Sequence, residues 1–416
     1  MSSFSQFGAG GSGLPIGAMI SALDMPVNFS SGGAEYLRAG ALKAYDSSYA
    51  AAIAAAPQLR VFGNATKTKA STVGTTGYTS YSYVGTNYVA ISGNGVYYSS
   101  DLSSWTNVST VTPNQSLRRA ASSGSYIVVP ASASNTAPQY SSNGSTFSAV
   151  GGTWTTCPAK SAIAFGNNIW VALSSLNGTN GEQAYIAAAN PSGAWTVAAS
   201  TNLGITTVAA VAYGASVFVA VGDSGSGAGK IATCSTPAGG WTDRTTSSGI
   251  TFQQGEVMND VVFDGTAFVA STSAGRILAS TDGVSWTDCS CFDLSEYSQV
   301  GTLIGSPRKV VLASDGVGTV VAMSGGYDGN SAKARSLIAI STDHGVTWSQ
   351  AQVFAGKAPL ITSTRITRSI SFANSRWLAN QSGAYQSVVD LGTSFATPDY
   401  IGVQNQAFAG QYVRIK

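Results

Sequence analysis

Between residues 99 and 395 one short phrase recurs seven times, and no other feature of the chain limits its fold as strongly. The fullest copies read "STDHGVTW" (341–348), "STDGVSW" (280–286) and "SSDLSSW" (99–105). Looser copies are "SSNGSTF" (141–147), "ANPSGAW" (189–195) and "STPAGGW" (235–241). Each joins a small polar residue, an Asp, Asn or Gly turn, and a closing aromatic. Asp and Asn bond nearby backbone, Gly supplies positive φ, and the aromatic packs the hairpin on its neighbour. The aromatics are Trp105, Phe147, Trp195, Trp241, Trp286, Trp348 and Phe395, spaced 42–48 residues apart except for one 62-residue step from Trp286 to Trp348. Before each hairpin comes a second phrase, a β-rich run broken by one tight turn, as in "AIAFGNNIWVAL" (162–173), "AVAYGASVFVAV" (210–221) and "SISFANSRWLAN" (369–380).

Each unit therefore reads as four short strands: a, a tight turn, b, a variable loop, c, the hairpin, d. Four strands per 40–50 residues predict one blade of an all-β propeller. One blade cannot bury both faces, whereas a ring of blades buries them against each other and leaves only short edges. Seven units predict about seven blades over 61–398, with residues 57–80 hard to place and six or eight blades as alternatives. A linear β-solenoid would have shorter, more even repeats.

"STDHGVTW" resembles the S-x-D-x-G-x-x-W Asp-box, or BNR repeat, of sialidases and many other propellers. The match is full at Ser341, Asp343, Gly345 and Trp348, and one residue short at Ser280, Asp282, Gly283 and Trp286. The resemblance implies that the box is structural and lies away from any catalytic centre. The structural box positions are then Asp101, Trp105, Asp282, Trp286, Asp343 and Trp348. His344, the chain's single histidine, has no counterpart in the other copies. It is expected at the exposed tip of a turn, as scaffold and not as a site.

Enzymatic readings find little material. A sialidase needs an arginine triad, a Tyr–Glu pair and an acidic Asp, and ordinary glycosidases need two facing carboxylates. The glutamates are Glu35, Glu182, Glu256 and Glu296; Arg308, Arg365, Arg368 and Arg376 cluster late in the chain. "GDSGSGAGK" (222–230) lacks phosphate-loop spacing and reads as a flexible surface loop. No catalytic residue, metal site or cofactor is expected. Cys157, Cys234, Cys289 and Cys291 form no dense disulfide pattern and no zinc motif, so they read as buried or idle thiols. Charged residues are only 10% of the chain and the net charge is +2. That surface, rich in Gly, Ser and Thr, offers no basic stripe for nucleic acid. No run approaches 18 apolar residues, so membrane insertion is not expected, and the start of the chain lacks the basic opening of a secretory signal.

The ends differ from the repeats. "YDSSYAAAIAAAP" (45–57) predicts a helix with Asp46 or Ser47 as N-cap and Pro57 as stop. "LPIGAMI" (14–20), "YLRAGALKAYDSSYAAA" (36–52) and "YIGVQNQAFAGQYVRIK" (400–416) resemble segments of tailed-bacteriophage virion proteins, especially tail fibres and related appendages. That resemblance implies a virion surface protein assembled in the host cytoplasm. Residues 1–60 would attach it to other virion proteins or form a homo-oligomer, a trimer in a fibre, and 399–416 would return as a strand segment. The propeller would meet a host-surface glycan or protein through its b–c loops, with Tyr327, Asp328, Asn330 and Arg335 as the richest candidate loop. The alternatives are a capsid or collar fibre or decoration protein without receptor specificity, a sialidase-like glycan-cleaving enzyme, and a cellular adhesin.

Overall fold

The computed structural model describes residues 78–92, 95–108, 111, 119–130, 136–154, 160–174, 182–199, 203–289, 310–326, 335–351, 370–381 and 387–390. It also describes strands at 19–21, 28–31, 34–38, 42–44, 59–62, 68–72, 400–403 and 411–414. The chain divides into two compact units. One comprises 66–348 and 354–394, the other 1–65, 349–353 and 395–416. The expected helix at 46–57 falls outside the described residues.

Among the described residues the repeats form seven four-stranded antiparallel sheets. Six are made of four consecutive strands each, in the order a-b-c-d; the fourth, for example, runs Thr207–Gly214, Val217–Asp223, Gly229–Cys234, Thr242–Asp243. The seventh is composite. Ile370–Ala373, Arg376–Gln381 and Ser387–Asp390 are completed by Thr68–Thr72 from the other end of the chain. The repeat pattern predicts the seventh outer strand after Phe395, which lies outside the described residues; Thr68–Thr72 fills that place instead. A ring needs its last sheet tied to its first segment, and the register Ser387↔Thr72, Val389↔Lys69 ties it.

The a strands adjoin one another in sequence, and the seventh (Ile370–Ala373) adjoins the first (Tyr78–Val84), so the ring closes. The fold is a β-propeller. The core lies in the seams between sheets. Val219, Val221 and Ile231 of the fourth sheet pack with Val261, Phe268, Ala270 and Trp286 of the fifth. Similar clusters join the third to the fourth sheet and the fifth to the sixth. The d strands face outward and are two residues long in the second, fourth and fifth sheets, which leaves little edge for unwanted pairing.

A second signature sits at the a–b hairpins. In five sheets the residues facing each other across the hairpin are both aromatic: Tyr83↔Tyr88, Phe165↔Trp170, Tyr213↔Phe218, Phe263↔Phe268 and Phe372↔Trp377. Their ring centroids lie 4.6–5.0 Å apart, within the range of favourable tilted pairs. In the sequence the five are legible as an aromatic on each side of the turn, a pattern that the second and sixth sheets lack, with Ser122↔Ile127 and Ser314↔Val320 in its place.

In the second unit the ends of the chain interleave. Gln411–Arg414 lies between Met19–Ser21 and Ala34–Arg38, and Tyr400–Val403 lies between Leu42–Ala44 and Leu59–Phe62. The N-terminal segment and the returning C-terminal strands thus form joint sheets.

Candidate functional site

The box hairpins follow one design. Ser280 Oγ accepts the Gly283 amide at 2.9 Å, and Asp282 Oδ1 accepts the Val284 and Ser285 amides at 2.7 and 2.8 Å. Ser341 and Asp343 repeat this with Gly345 and Thr347, and Ser99 and Asp101 with Leu102, Ser103 and Ser104. In 141–147, Asn143 does the work of the aspartate, accepting from Ser145 and Thr146. The carboxylates titrate accordingly. The Ser103 hydroxyl and the turn amides hold Asp101 well below the usual range. At Asp282 burial pushes upward but is outweighed by the Ser285 and Val284 amides, so it too is lowered. Asp343 is lowered in the same way by Thr347, against a burial effect of opposite sign.

The glycine and the tryptophan turn the hairpin toward the preceding sheet. Gly283 (φ 73) and Gly345 (φ 81) are left-handed, and a Cβ on either would lie 2.6 Å from a methyl of Val219 or Val269, on strand b of the preceding sheet. Trp286 is buried, and its indole N–H donates to Gly283 O at 3.2 Å. Trp348 donates likewise to Gly345 O at 2.8 Å but is only half-buried. Trp105 is also half-buried, and its buried indole nitrogen has no partner among the described residues. In that box Leu102 (φ 63) occupies the position where the other two boxes have glycine.

His344 departs from its expected place at a free tip. It is the extra residue that makes this box one longer, and it is itself left-handed (φ 65). That geometry carries its ring across the seam to the fifth sheet, where Nδ1 lies 3.0 Å from Asp264 Oδ2. Asp264 is fully buried, and its Oδ1 accepts the amides of Thr266 and Ala267 at 2.9 and 2.7 Å. Other seams carry similar ties: Asn87 Nδ2 donates to Asn143 O at 2.7 Å, and Asn374 Nδ2 to Tyr88 Oη at 3.0 Å. The His344 ring thus joins two sheets.

Up-and-down connectivity puts all a–b turns and boxes on one face of the ring and all b–c loops on the other. Of the candidate loop, Tyr327, Asp328 and Asn330 lie outside the described residues. Arg335 opens strand Arg335–Ser341, where it pairs with Gly326. The loop at 222–230, expected to be flexible, is tied. Strands b and c extend to Asp223 and Gly229, Ser224 N donates to Ala228 O at 2.9 Å, and Gly225 N donates to Asp223 Oδ1 at 2.6 Å. On the fifth sheet Glu256, one of the glutamates weighed for catalysis, is buried and bonded to Arg276, whose Nε also reaches Asp288 at 2.7 Å. Among the described residues no group of three or more His, Cys, Asp or Glu is placed to hold a metal, and no helix is long and apolar enough to cross a membrane. Cys234 is a buried free thiol whose pKa burial pushes up to about 11; Cys289, half-buried, is also raised by burial.

Polar groups also line the bore. Ser80 Oγ accepts the Ala120 amide, Asp260 Oδ2 the Leu312 amide, and Ser371 Oγ the Tyr81 amide, each linking one a strand to the next. Arg119 adds a longer link, to Asp260 and to the carbonyl of Leu312.

No family model and no curated protein matches the chain. Solved structures do. The extracellular domain of BT4673 from B. thetaiotaomicron aligns with a TM-score of 0.50 at 12% identity, over 79% of this chain and 39% of that one. YCF48 bound to D1 peptide aligns with a TM-score of 0.49 at 12% identity, over 80% and 96%. The WD40 propeller domain of Doa1 aligns with a TM-score of 0.47 at 12% identity, over 80% and 96%. At these identities the likeness is one of fold.

Proposed function

We propose that this chain is a structural protein of a bacteriophage particle, a tail fibre or similar surface appendage. Its terminal unit would hold it to neighbouring virion subunits, and its propeller would present the b–c loop face to a host-surface glycan or protein. One observation carries the reading. The three phrases that resemble phage virion proteins pair with each other: Met19–Ser21 and Ala34–Arg38 with Gln411–Arg414, and Leu42–Ala44 with Tyr400–Val403. The resemblance is thus concentrated in one of the two compact units, as an attachment module would be. Its function is binding and not catalysis, which accords with Glu256 being committed to Arg276.

A second reading, a decoration or collar protein without receptor specificity, is favoured by the short tied b–c loops of the fourth and fifth sheets, which offer little adaptable surface. One experiment separates them. Residues 325–334, 175–182 and 223–229 are replaced together by short Gly-Ser turns in the full chain, and particles are labelled with antibody and tested for adsorption. Labelled particles that no longer adsorb support receptor binding. Labelled particles that adsorb normally support decoration. Particles that never carry the chain overturn the virion reading.

A further inference from the structure

We propose that Arg119 and Asp260 form a tie across the bore of the ring, locking opposite sheets at a fixed separation and shutting the axial channel at that height. Arg119 stands just before the second sheet's inner strand, Ala121–Ser122; Asp260 belongs to the fifth, Met258–Phe263. They sit at matching heights. Each lies three residues before the residue opening the a–b hairpin (122 − 119 and 263 − 260), given the pairs Ser122↔Ile127 and Phe263↔Phe268. In a ring of seven, the second sheet is three steps from the fifth one way and three from the sixth the other way. Arg119 therefore reaches the seam that lies farthest from it.

The contact is two-pronged. Nη1 and Nη2 meet Asp260 Oδ1 and Oδ2 at 3.2 and 3.1 Å, and Nη2 also donates to the Leu312 carbonyl of the sixth sheet. The carboxylate is already engaged in that seam, accepting the Leu312 amide at 2.9 Å and the Val261 amide at 2.9 Å. Asp260 has a side chain only 10% exposed, and Arg119 one 34% exposed. A planar guanidinium facing a carboxylate in this paired geometry fixes orientation as well as distance. The neighbour-to-neighbour bonds of Ser80 and Ser371 hold the circumference; the Arg119–Asp260 bond holds the diameter. Widening the bore would strand a buried carboxylate without its cation, the costly way to break such a pair.

The test is hydrogen exchange on the full-length chain with Arg119→Met, Asp260→Asn and the double substitution. Stability alone is uninformative, because a buried pair replaced as a whole can be neutral. Arg119→Met should speed exchange of the Leu312 amide and of strand 258–263, on the far side of the ring, by at least about tenfold. In the double variant the two effects should fall well short of adding, as for residues sharing one hydrogen-bonded network. Arg119→Lys, which keeps the charge and loses the two-pronged geometry, should fall between and serves if Arg119→Met fails to fold. Unchanged exchange at Leu312 in whichever of these variants folds, or strictly additive effects, overturns the tie.

Discussion

Replacing His344 by alanine removes a ring nitrogen from a carboxylate that solvent does not reach. Asp264 keeps its two backbone donors, Thr266 N and Ala267 N, but Oδ2 loses the partner 3.0 Å away. A hydrogen bond to a charged group contributes about 1.5–3 kcal/mol, and leaving such a group unsatisfied costs at least as much. The His344 side chain is 42% exposed, so water can take over part of the vacated position. That lowers the expected loss to about 1–2 kcal/mol. Both histidine and alanine carry a Cβ at φ 65, so alanine deletes the ring with little change in backbone strain. Glycine at 344 also relieves the left-handed backbone, so its cost should be smaller than alanine's. The assay is urea denaturation of wild type, His344→Ala, His344→Gly, Asp264→Asn and the double variant His344→Ala/Asp264→Asn. The two single substitutions at the pair should be less than additive in the double. A His344→Ala cost under about 0.5 kcal/mol, the level of an ordinary surface change, with additive behaviour, would refute the inter-sheet contact and restore His344 to a free turn tip.

Two further expectations concern the boxes. Trp286→Ala should cost about 3–5 kcal/mol, and Trp348→Ala about half of that because its ring is only half-buried; equal losses in thermal or urea unfolding would contradict the packing described. Asp101, Asp282 and Asp343 all have lowered folded-state pKa values. Their stabilisation is therefore present above the ordinary carboxylate value of about 3.9 and is lost as pH falls through the lowered ones. Asp282→Asn, which keeps an acceptor oxygen as Asn143 does, should flatten the decline in melting temperature below about pH 4; an unchanged slope would remove Asp282 from the acid response.

The blade was legible because its causes are local. Ser280, Asp282 and Gly283 satisfy one another within a few residues, so the hairpin can be read without knowing its neighbours. Trp286 could be assigned to packing for the same reason. His344 could not be placed, because Asp264 is 80 residues away and belongs to a different sheet. The loop at 222–230 was misread because its glycines suggested freedom, whereas the bonds of Ser224 and Asp223 close it. The terminal unit shows the same limit: strand 411–414 has both its partners, and strand 400–403 one of its two, among residues more than 350 positions earlier in the chain.

Period, turn chemistry and aromatic spacing by themselves determined that this chain builds repeated four-stranded sheets that bury their faces on one another, because hairpins are specified by neighbours in sequence. Only the tertiary structure decided which ends close the ring, which polar side chains span its seams and what crosses its bore. Thr72 meeting Ser387, and Arg119 meeting Asp260, depend on the curvature summed over all the sheets between them, and no local pattern of residues encodes that sum.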